Sequence, residues 1–158
     1  MLVGVEVAGL AQVDNVEILT SGISCGVCAV VSEVRFRRME GIGKVDISSA
    51  KETITLHYKP DARFSAKEIE EVLRPLGVHV LRMRMEARGR LETGGDGKML
   101  LVAGRNRIPV RLGAGAGTIE PGAQLLVEGL ILGSGETVEC KVGRIRNAEK
   151  GGKRNETR

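Results

Sequence analysis

The amino-acid sequence predicts an α+β fold in which a ferredoxin-like βαββαβ sandwich is followed by a small all-β barrel-like domain. Three observations favour this fold class. In the first half of the 158-residue chain, two helical patterns alternate with strand patterns. In the second half, the apolar segments are strand-like and none has helical period. Only seven of the 22 glycines precede Gly89, which concentrates turns in that second half.

The first strand and the first helix are predicted on either side of a turn that contains two cysteines. Residues 16–20 are mostly apolar and include β-branched side chains, as in a strand. A helical pattern then runs over 26–39, and Gly41 can end it. Its apolar residues recur at the spacing of one helix face, which we expect to be buried. The members of that face are Val27, Val30, Val31 and Val34.

A hairpin, a second helix and a further strand complete the first half. Apolar and polar residues alternate around Val45 and Ile47 and again over 53–58, which predicts two strands joined by a short loop. Ser65 and Glu68 have the spacing of a capping box that opens a helix. Residues 78–85 are the last predicted strand of this unit.

The predicted elements divide the chain into five segments. Residues 1–14 form an N-terminal strand or extension, and 15–87 form the ferredoxin-like domain. The polar, glycine-rich segment 88–97 is the predicted linker. Residues 98–147 form the predicted barrel-like domain. Its four strand-like segments are few for a closed barrel, so we expect the start of the chain to supply another strand. Residues 148–158 are a disordered basic tail.

The amino-acid composition limits the kinds of partner that are expected. The formal charge is only +4, and part of the excess lies in the basic tail. The chain has two Phe, one Tyr and no Trp, so platforms for stacking nucleic-acid bases are not expected. No run of about 18 apolar residues exists, so no membrane insertion is expected. The start of the chain does not have the pattern of a signal peptide, and three cysteines do not form a disulfide framework. Together these features predict a cytoplasmic protein.

The segment 22–28, Gly-Ile-Ser-Cys-Gly-Val-Cys, is the most informative motif. It places Cys25 and Cys28 two residues apart at a strand-to-helix turn. The amino end of a helix lowers the pKa of a thiol, and glycines let the backbone bend. Such a pair can bind a soft metal ion or undergo dithiol–disulfide exchange.

The motif also carries a family resemblance. Gly22, Ser24, Cys25 and Cys28 occupy the places of a Gly-Met-x-Cys-x-x-Cys motif, and residues 15–86 resemble the heavy-metal-associated domain of copper chaperones and metal-transporting P-type ATPases. The resemblance implies that the two cysteines bind Cu(I) or another soft ion. It also implies transfer of that ion to a partner protein by ligand exchange.

Two positions depart from the family pattern. Ile23 stands where the family usually has Met, which packs beneath the loop as a hydrophobic plug. Residues 76–78, Leu-Gly-Val, stand where many relatives have a Lys or an aromatic residue that shields the metal.

Other assignments stay open beside metal binding. The cysteine pair could belong to a dithiol redox protein, or it could be idle in a ferredoxin-like interaction or scaffold protein. A closed zinc site would need two further ligands, and none lies nearby in sequence. Cys140, His57 and His79 are interpreted as strand residues outside the site.

The sequence therefore predicts a metallochaperone-like protein. It does not predict an enzyme, because no nucleophile is matched with a base. The expected partner is a metal-transporting ATPase or another metal-handling protein, with self-association as a further option and no nucleic acid. A pattern over 121–129 weakly resembles a small OB-type β-barrel. We expect that half of the chain to recruit a partner.

Overall fold

A computed structural model describes residues 11–116, 119 and 122–148. Within these residues the chain is mixed α+β, with two α-helices, one 3₁₀ turn and eight strands. In chain order they are β1 (Gln12–Ser21), α1 (Gly26–Arg38), β2 (Ile42–Ser48), β3 (Thr53–Tyr58), α2 (Ala66–Leu73), the 3₁₀ turn (Arg74–Leu76), β4 (His79–Thr93), β5 (Met99–Ala103), β6 (Asn106–Leu112), β7 (Leu125–Ser134) and β8 (Thr137–Asn147).

The first half has the predicted β-α-β-β-α-β order of elements. Strands β2, β3, β1 and β4 are neighbours in that order, and all three pairings are antiparallel. Both helices contribute to the core: Phe36 of α1 and Ile69 and Leu73 of α2 are fully buried, as are Ile18 and Leu56 of the sheet. Strand β1 begins at Gln12, which lies inside the predicted extension 1–14.

The second half is a closed five-stranded barrel. Strands β4, β5, β6, β8 and β7 are successive neighbours, and a β4–β7 pairing closes the ring. Strands β6 and β8 are parallel, whereas the other pairings around the ring are antiparallel. Among the described residues, each strand of the barrel has a neighbouring strand on both sides, which limits the open edges at which other chains could pair.

Strand β4 belongs to both halves of the molecule. Its residues 83–88 pair with β1 on one side and with β7 on the other, and its residues 90–93 pair with β5. The predicted linker 88–97 is therefore wrong for 88–93, which continue the strand. The polar and glycine-rich composition of this segment is typical of a linker. In β4 the same composition arises because outward-facing arginines alternate with buried small residues such as Ala87 and Gly89.

The shared strand also supplies the fifth member of the barrel. We expected residues 1–7 to pair with the barrel, but they lie outside the described residues. Residues 149–158 of the predicted tail also lie outside them. Among the described strands, β4 closes the ring by pairing with β7.

The prediction that the valine face of α1 is buried in the core is wrong. Val27, Val30 and Val34 are 72%, 61% and 43% exposed. The side of α1 that faces the core instead carries Ser32 and Phe36, which are buried, with Cys28, Ala29 and Met39 partly buried. Both rows have helical spacing. Because Phe36 is the largest apolar side chain of the helix, its burial stabilises this orientation more than burial of a valine would, and Ala29 and Ser32 are small enough to allow close packing.

Asn106 joins the barrel to the loop before α2. Its side-chain amide donates to the carbonyl oxygens of Ala62 and Ala103, at 3.0 Å each, and its side-chain oxygen accepts from the backbone N–H of Phe64 at 2.8 Å. Asn106 is buried, and its bond to Ala103 is buried as well, while the bonds to Ala62 and Phe64 are part-buried.

We expect Asn106→Ala to lower the free energy of unfolding by about 2 kcal/mol, because three backbone groups that are buried or part-buried lose their partner. Urea denaturation measures the change. Arg105→Ala is the matched control, because Arg105 is adjacent and its ion pair with Asp61 is exposed. Loss of that pair is expected to cost less than about 1 kcal/mol. Equal effects of the two substitutions would contradict the role given to Asn106.

Candidate metal centre

The cysteine pair lies where β1 ends and α1 begins. Cys25 is the residue that precedes the first turn of α1, and Cys28 lies within that turn. Cys25 is exposed and Cys28 is half-buried, and both are free thiols. The pair is therefore open on one side to an approaching ion or protein.

Ile23 anchors the loop from below. Its side chain is fully buried in the core although its neighbours Gly22 and Ser24 are exposed. Ile23 thus fills the position beneath the loop that the family resemblance assigns to a hydrophobic plug, and it fixes the loop on which both cysteines lie.

The tip of the β2–β3 hairpin holds the other side of the loop. The backbone N–H and the hydroxyl of Thr20 donate to the carbonyl oxygen of Glu52 at 2.8 and 2.9 Å. The backbone N–H of Gly22 donates to the carboxylate of Glu52 at 3.4 Å. Sequence reasoning missed Glu52, because no motif links residues that are 30 positions apart.

Gly22 is the glycine that the turn requires. Its φ is +103°, and a Cβ there would lie 3.1 Å from the carbonyl oxygen of Gly77. The loop therefore packs against residues 77–78, where the resemblance places a shielding residue in other proteins. Gly26 is different: a Cβ there would meet no atom within 4 Å, so Gly26 is not needed for the bend.

We expect Gly22→Ala to lower the free energy of unfolding by about 2 kcal/mol, since an L-residue is strained at positive φ. Gly26→Ala is the control and should not destabilise, because alanine favours a helix more than glycine does. Thermal or urea unfolding measures both. A tolerated alanine at position 22 would show that the turn does not need the observed backbone.

The two thiols have different proton affinities. The pKa of Cys25 is lowered, first by the backbone N–H of Cys28, then by the thiol of Cys28 and the N–H of Val27, all of which stabilise the thiolate. The pKa of Cys28 is raised, first by its hydrogen bond to Cys25 and then by burial and by the charge of Cys25. Cys25 is therefore the first to become a thiolate as pH rises.

The raised pKa of Cys28 depends on its neighbour, which gives a direct test. In Cys25→Ala the hydrogen bond and the negative charge of Cys25 are gone, so we expect the pKa of Cys28 to fall towards its usual range. The ultraviolet absorbance of the thiolate, followed against pH, measures this. If the pKa of Cys28 stays high in the variant, burial alone raises it.

The other cysteine and the two histidines all lie on strands. Cys140 is buried in β8 of the barrel, where burial and then Glu139 raise its pKa to about 11. His57 contacts Asp46 on the neighbouring strand at 2.9 Å. His79 is paired with Ser21 of β1, so it lies at the base of the loop, which its position in the sequence did not suggest. Among the described residues no three His, Cys, Asp or Glu side chains group as metal ligands.

The fold and the site define a class: an α+β domain that presents a dithiol at the start of its first helix. No protein-family model and no curated protein matches the chain. No helix in the described part of the chain has the length and apolar character to cross a membrane.

Among solved structures, the chain is similar to the yeast copper transporter domain Ccc2A, known in apo and Cu(I)-loaded states. Identity is 24%, the TM-score is 0.37, and the match covers 44% of this chain and 97% of that domain. The chain is also similar to the water-soluble region of the P-type ATPase CopA from Bacillus subtilis. There identity is 28% and the TM-score 0.40, with 54% of each chain covered, so this chain spans about half of that region.

Proposed function

We propose that the protein binds a soft metal ion, most favourably Cu(I), through Cys25 and Cys28, and passes the ion to a partner protein. The observation that carries this proposal is the pair of free thiols at the amino end of α1, with Cys25 exposed and its pKa lowered. Thiolates are the ligands that Cu(I) prefers, and two of them satisfy its low coordination number.

The difference between the two thiols suggests the order of binding. Cys25 offers a thiolate at the surface, so it meets the ion first. Cys28 has a raised pKa and loses its proton when the cation is present, since metal binding releases protons from thiols. Cys25 remains the exposed ligand, and exchange with the thiolates of a partner begins there.

The rest of the loop supports the same function. Ile23 and Glu52 fix the loop from two sides, so little ordering is needed when the ion binds. The motif in 22–28 and the resemblance of 15–86 to heavy-metal-associated domains agree with this chemistry. Free thiols are suited to a reducing compartment, so we place the protein in the cytoplasm.

We further propose that the partner is a metal-transporting ATPase or another metal-handling protein, that the chain is not an enzyme, and that the barrel positions the partner. The order of the barrel strands and the parallel β6–β8 pair support an OB-type barrel.

Competition for Cu(I) tests metal binding. The reduced protein is titrated with Cu(I) in the presence of a coloured Cu(I) chelator, and we expect the protein to withdraw one equivalent from the chelator. Affinity should rise with pH until both thiols have lost their protons. If the chelator retains all the copper at every pH tested, the proposed function is wrong.

Dithiol–disulfide exchange is the second candidate, and the different pKa values of the two thiols favour it. In that reaction the thiols of Cys25 and Cys28 would lose two electrons and two protons to a partner's disulfide, which becomes two thiols. The reduction potential of the Cys25–Cys28 pair, measured against glutathione, distinguishes the two functions. A strongly oxidising potential without Cu(I) uptake would favour dithiol–disulfide exchange over metal transfer.

A further inference from the structure

Glu52 has an unusual backbone conformation at the tip of the hairpin that joins β2 to β3. Its φ is +52°, in the left-handed region, and in the described part of the chain Asp61 is the other non-glycine residue with a positive φ. Glycine, asparagine and aspartate adopt this region most readily, whereas another L-residue is strained there. Strained residues are concentrated at functional sites. Because glycine would form the same turn with less strain, the strain at Glu52 points to a role for its side chain.

Glu52 accepts three hydrogen bonds from the end of β1 and the loop that follows it. Its carbonyl oxygen accepts from the backbone N–H and the hydroxyl of Thr20 at 2.8 and 2.9 Å. Its carboxylate accepts from the backbone N–H of Gly22 at 3.4 Å. We call these three bonds the Glu52 clamp. The main chain and the side chain of one residue thus hold the segment that leads to Cys25.

The hairpin tip that carries Glu52 is itself fixed. The backbone N–H of Lys51 donates to the hydroxyl of Ser48 at 3.3 Å, and the N–H of Glu52 donates to the carbonyl oxygen of Ser49 at 3.4 Å. Ser48 and Thr53, on either side of the tip, are paired with each other in the sheet. The clamp therefore ties the cysteine loop to a rigid element, and sites supported by rigid elements keep their geometry more closely than sites on loops.

The Glu52 clamp acts close to the thiols. Gly22 lies three residues before Cys25, and between them Ile23 is buried whereas Ser24 is exposed. Binding of Cu(I) by two sulfur atoms needs the loop before Cys25 and the first turn of α1 in one relative position. When that arrangement is already held in the ion-free protein, less of the binding free energy is lost in ordering the loop. Loosening of the clamp should therefore weaken binding without removal of a ligand.

The stability of the hairpin does not account for a glutamate at position 52. The two bonds from Thr20 end on the backbone carbonyl oxygen, which any residue supplies and which glycine would supply with less strain. What the glutamate side chain adds is the bond to Gly22, at the start of the cysteine loop. The side chain therefore serves the loop rather than the hairpin.

We propose that Glu52 is a positioning residue of the Cu(I) site, which holds the cysteine loop through Thr20 and Gly22 in the conformation that binds the ion. Glu52 acts through the backbone of the loop and is not a ligand. The inference rests on the proposed function and adds a residue that sets the affinity of the site.

Two substitutions at position 52 separate positioning from charge and from stability. Glu52→Gly keeps the carbonyl oxygen and relieves the strain, so it should not lower the free energy of unfolding, but it removes the carboxylate bond. We expect it to bind Cu(I) about threefold to tenfold more weakly, which is the effect of one hydrogen bond. Glu52→Gln removes the charge and keeps an oxygen that can accept from Gly22, so its affinity should lie within about twofold of wild type.

Thr20→Val tests the other half of the clamp. It removes the hydroxyl, keeps a similar shape and leaves the backbone N–H bond to Glu52 in place. We expect a loss of Cu(I) affinity similar to that of Glu52→Gly. Thr55→Val is the matched control, because Thr55 is a half-buried threonine of β3 that pairs with Glu17 of β1. That control should leave the affinity unchanged.

Three measurements on the reduced, full-length protein compare these variants. Competition with a coloured Cu(I) chelator at one pH gives the affinities, and urea denaturation gives the stabilities. Amide hydrogen exchange of the ion-free protein reports on the clamp itself. The N–H of Gly22 should exchange faster in Glu52→Gly than in wild type or in Glu52→Gln.

The outcomes separate positioning from metal binding. Support requires that Glu52→Gly and Thr20→Val lose affinity, that Glu52→Gln and Thr55→Val keep it, and that Glu52→Gly is as stable as wild type. Equal affinity of Glu52→Gly and wild type, or an equal loss in Glu52→Gln, would overturn the positioning role. In both of those cases wild type still takes up one equivalent of Cu(I), so the proposed function stands. Absence of Cu(I) uptake by wild type would instead refute the proposed function, and the role of Glu52 with it.

Discussion

Replacement of both cysteines, Cys25→Ser and Cys28→Ser, is expected to abolish tight Cu(I) binding. A serine hydroxyl stays protonated near neutral pH and is a hard oxygen ligand, so it does not replace a thiolate on Cu(I). Loss of an outer-shell partner already costs roughly 10–100-fold in metal affinity, and loss of the ligands themselves should cost more. Competition with a Cu(I) chelator measures the change, and the single variants should each lose most of the affinity.

Cys140→Ala is the control for this experiment. It removes the third thiol, which is buried in the barrel and has a raised pKa, so copper binding should be unchanged. The fold of each variant is checked by circular dichroism. Retention of one tight equivalent by the double variant, or its loss in Cys140→Ala, would contradict the assignment of the site.

Gly89→Ala is expected to destabilise the protein strongly, because Gly89 lies where the neighbour of β4 on one side changes from β1 to β5. A Cβ at Gly89 would overlap the carbonyl oxygen of Val102 on β5 and lie 2.9 Å from its carbonyl carbon. Backbone atoms cannot swing away as a flexible side chain can. We expect a loss of about 4 kcal/mol, near the upper limit for one substitution.

Urea denaturation of Gly89→Ala measures this loss, and Gly95→Ala provides the comparison. Gly95 lies in the turn between β4 and β5, where a Cβ would meet nothing within 4 Å. That substitution should change stability by less than about 0.5 kcal/mol. If Gly89→Ala lowers the free energy of unfolding as little as Gly95→Ala does, then β5 lies farther from β4 than the structure shows.

Local signals predicted much of the fold. Ser65 and Glu68 alone predict the start of α2, and the Ser65 hydroxyl accepts from the N–H of Glu68 at 3.3 Å. The sequence pattern predicts the first helix over 26–39, and α1 runs from Gly26 to Arg38. Such features depend on neighbours within one turn, so the sequence alone is sufficient to predict them.

Features that depend on distant residues were not predictable in the same way. Two rows on α1 have helical spacing, and only contact with the sheet decides that Phe36 rather than the valines is buried. The continuation of β4 beyond residue 85 depends on pairing with β5 and β7. The contacts of the cysteine loop with Glu52 and Gly77 likewise join residues far apart in sequence.

The central claim is that two sulfur atoms hold the ion, and X-ray absorption spectroscopy at the copper edge tests it most directly. For the reduced protein with one equivalent of Cu(I), we predict coordination by two sulfur atoms, from Cys25 and Cys28. Coordination by nitrogen or oxygen, or the same spectrum from the Cys25→Ser/Cys28→Ser variant, would contradict the claim.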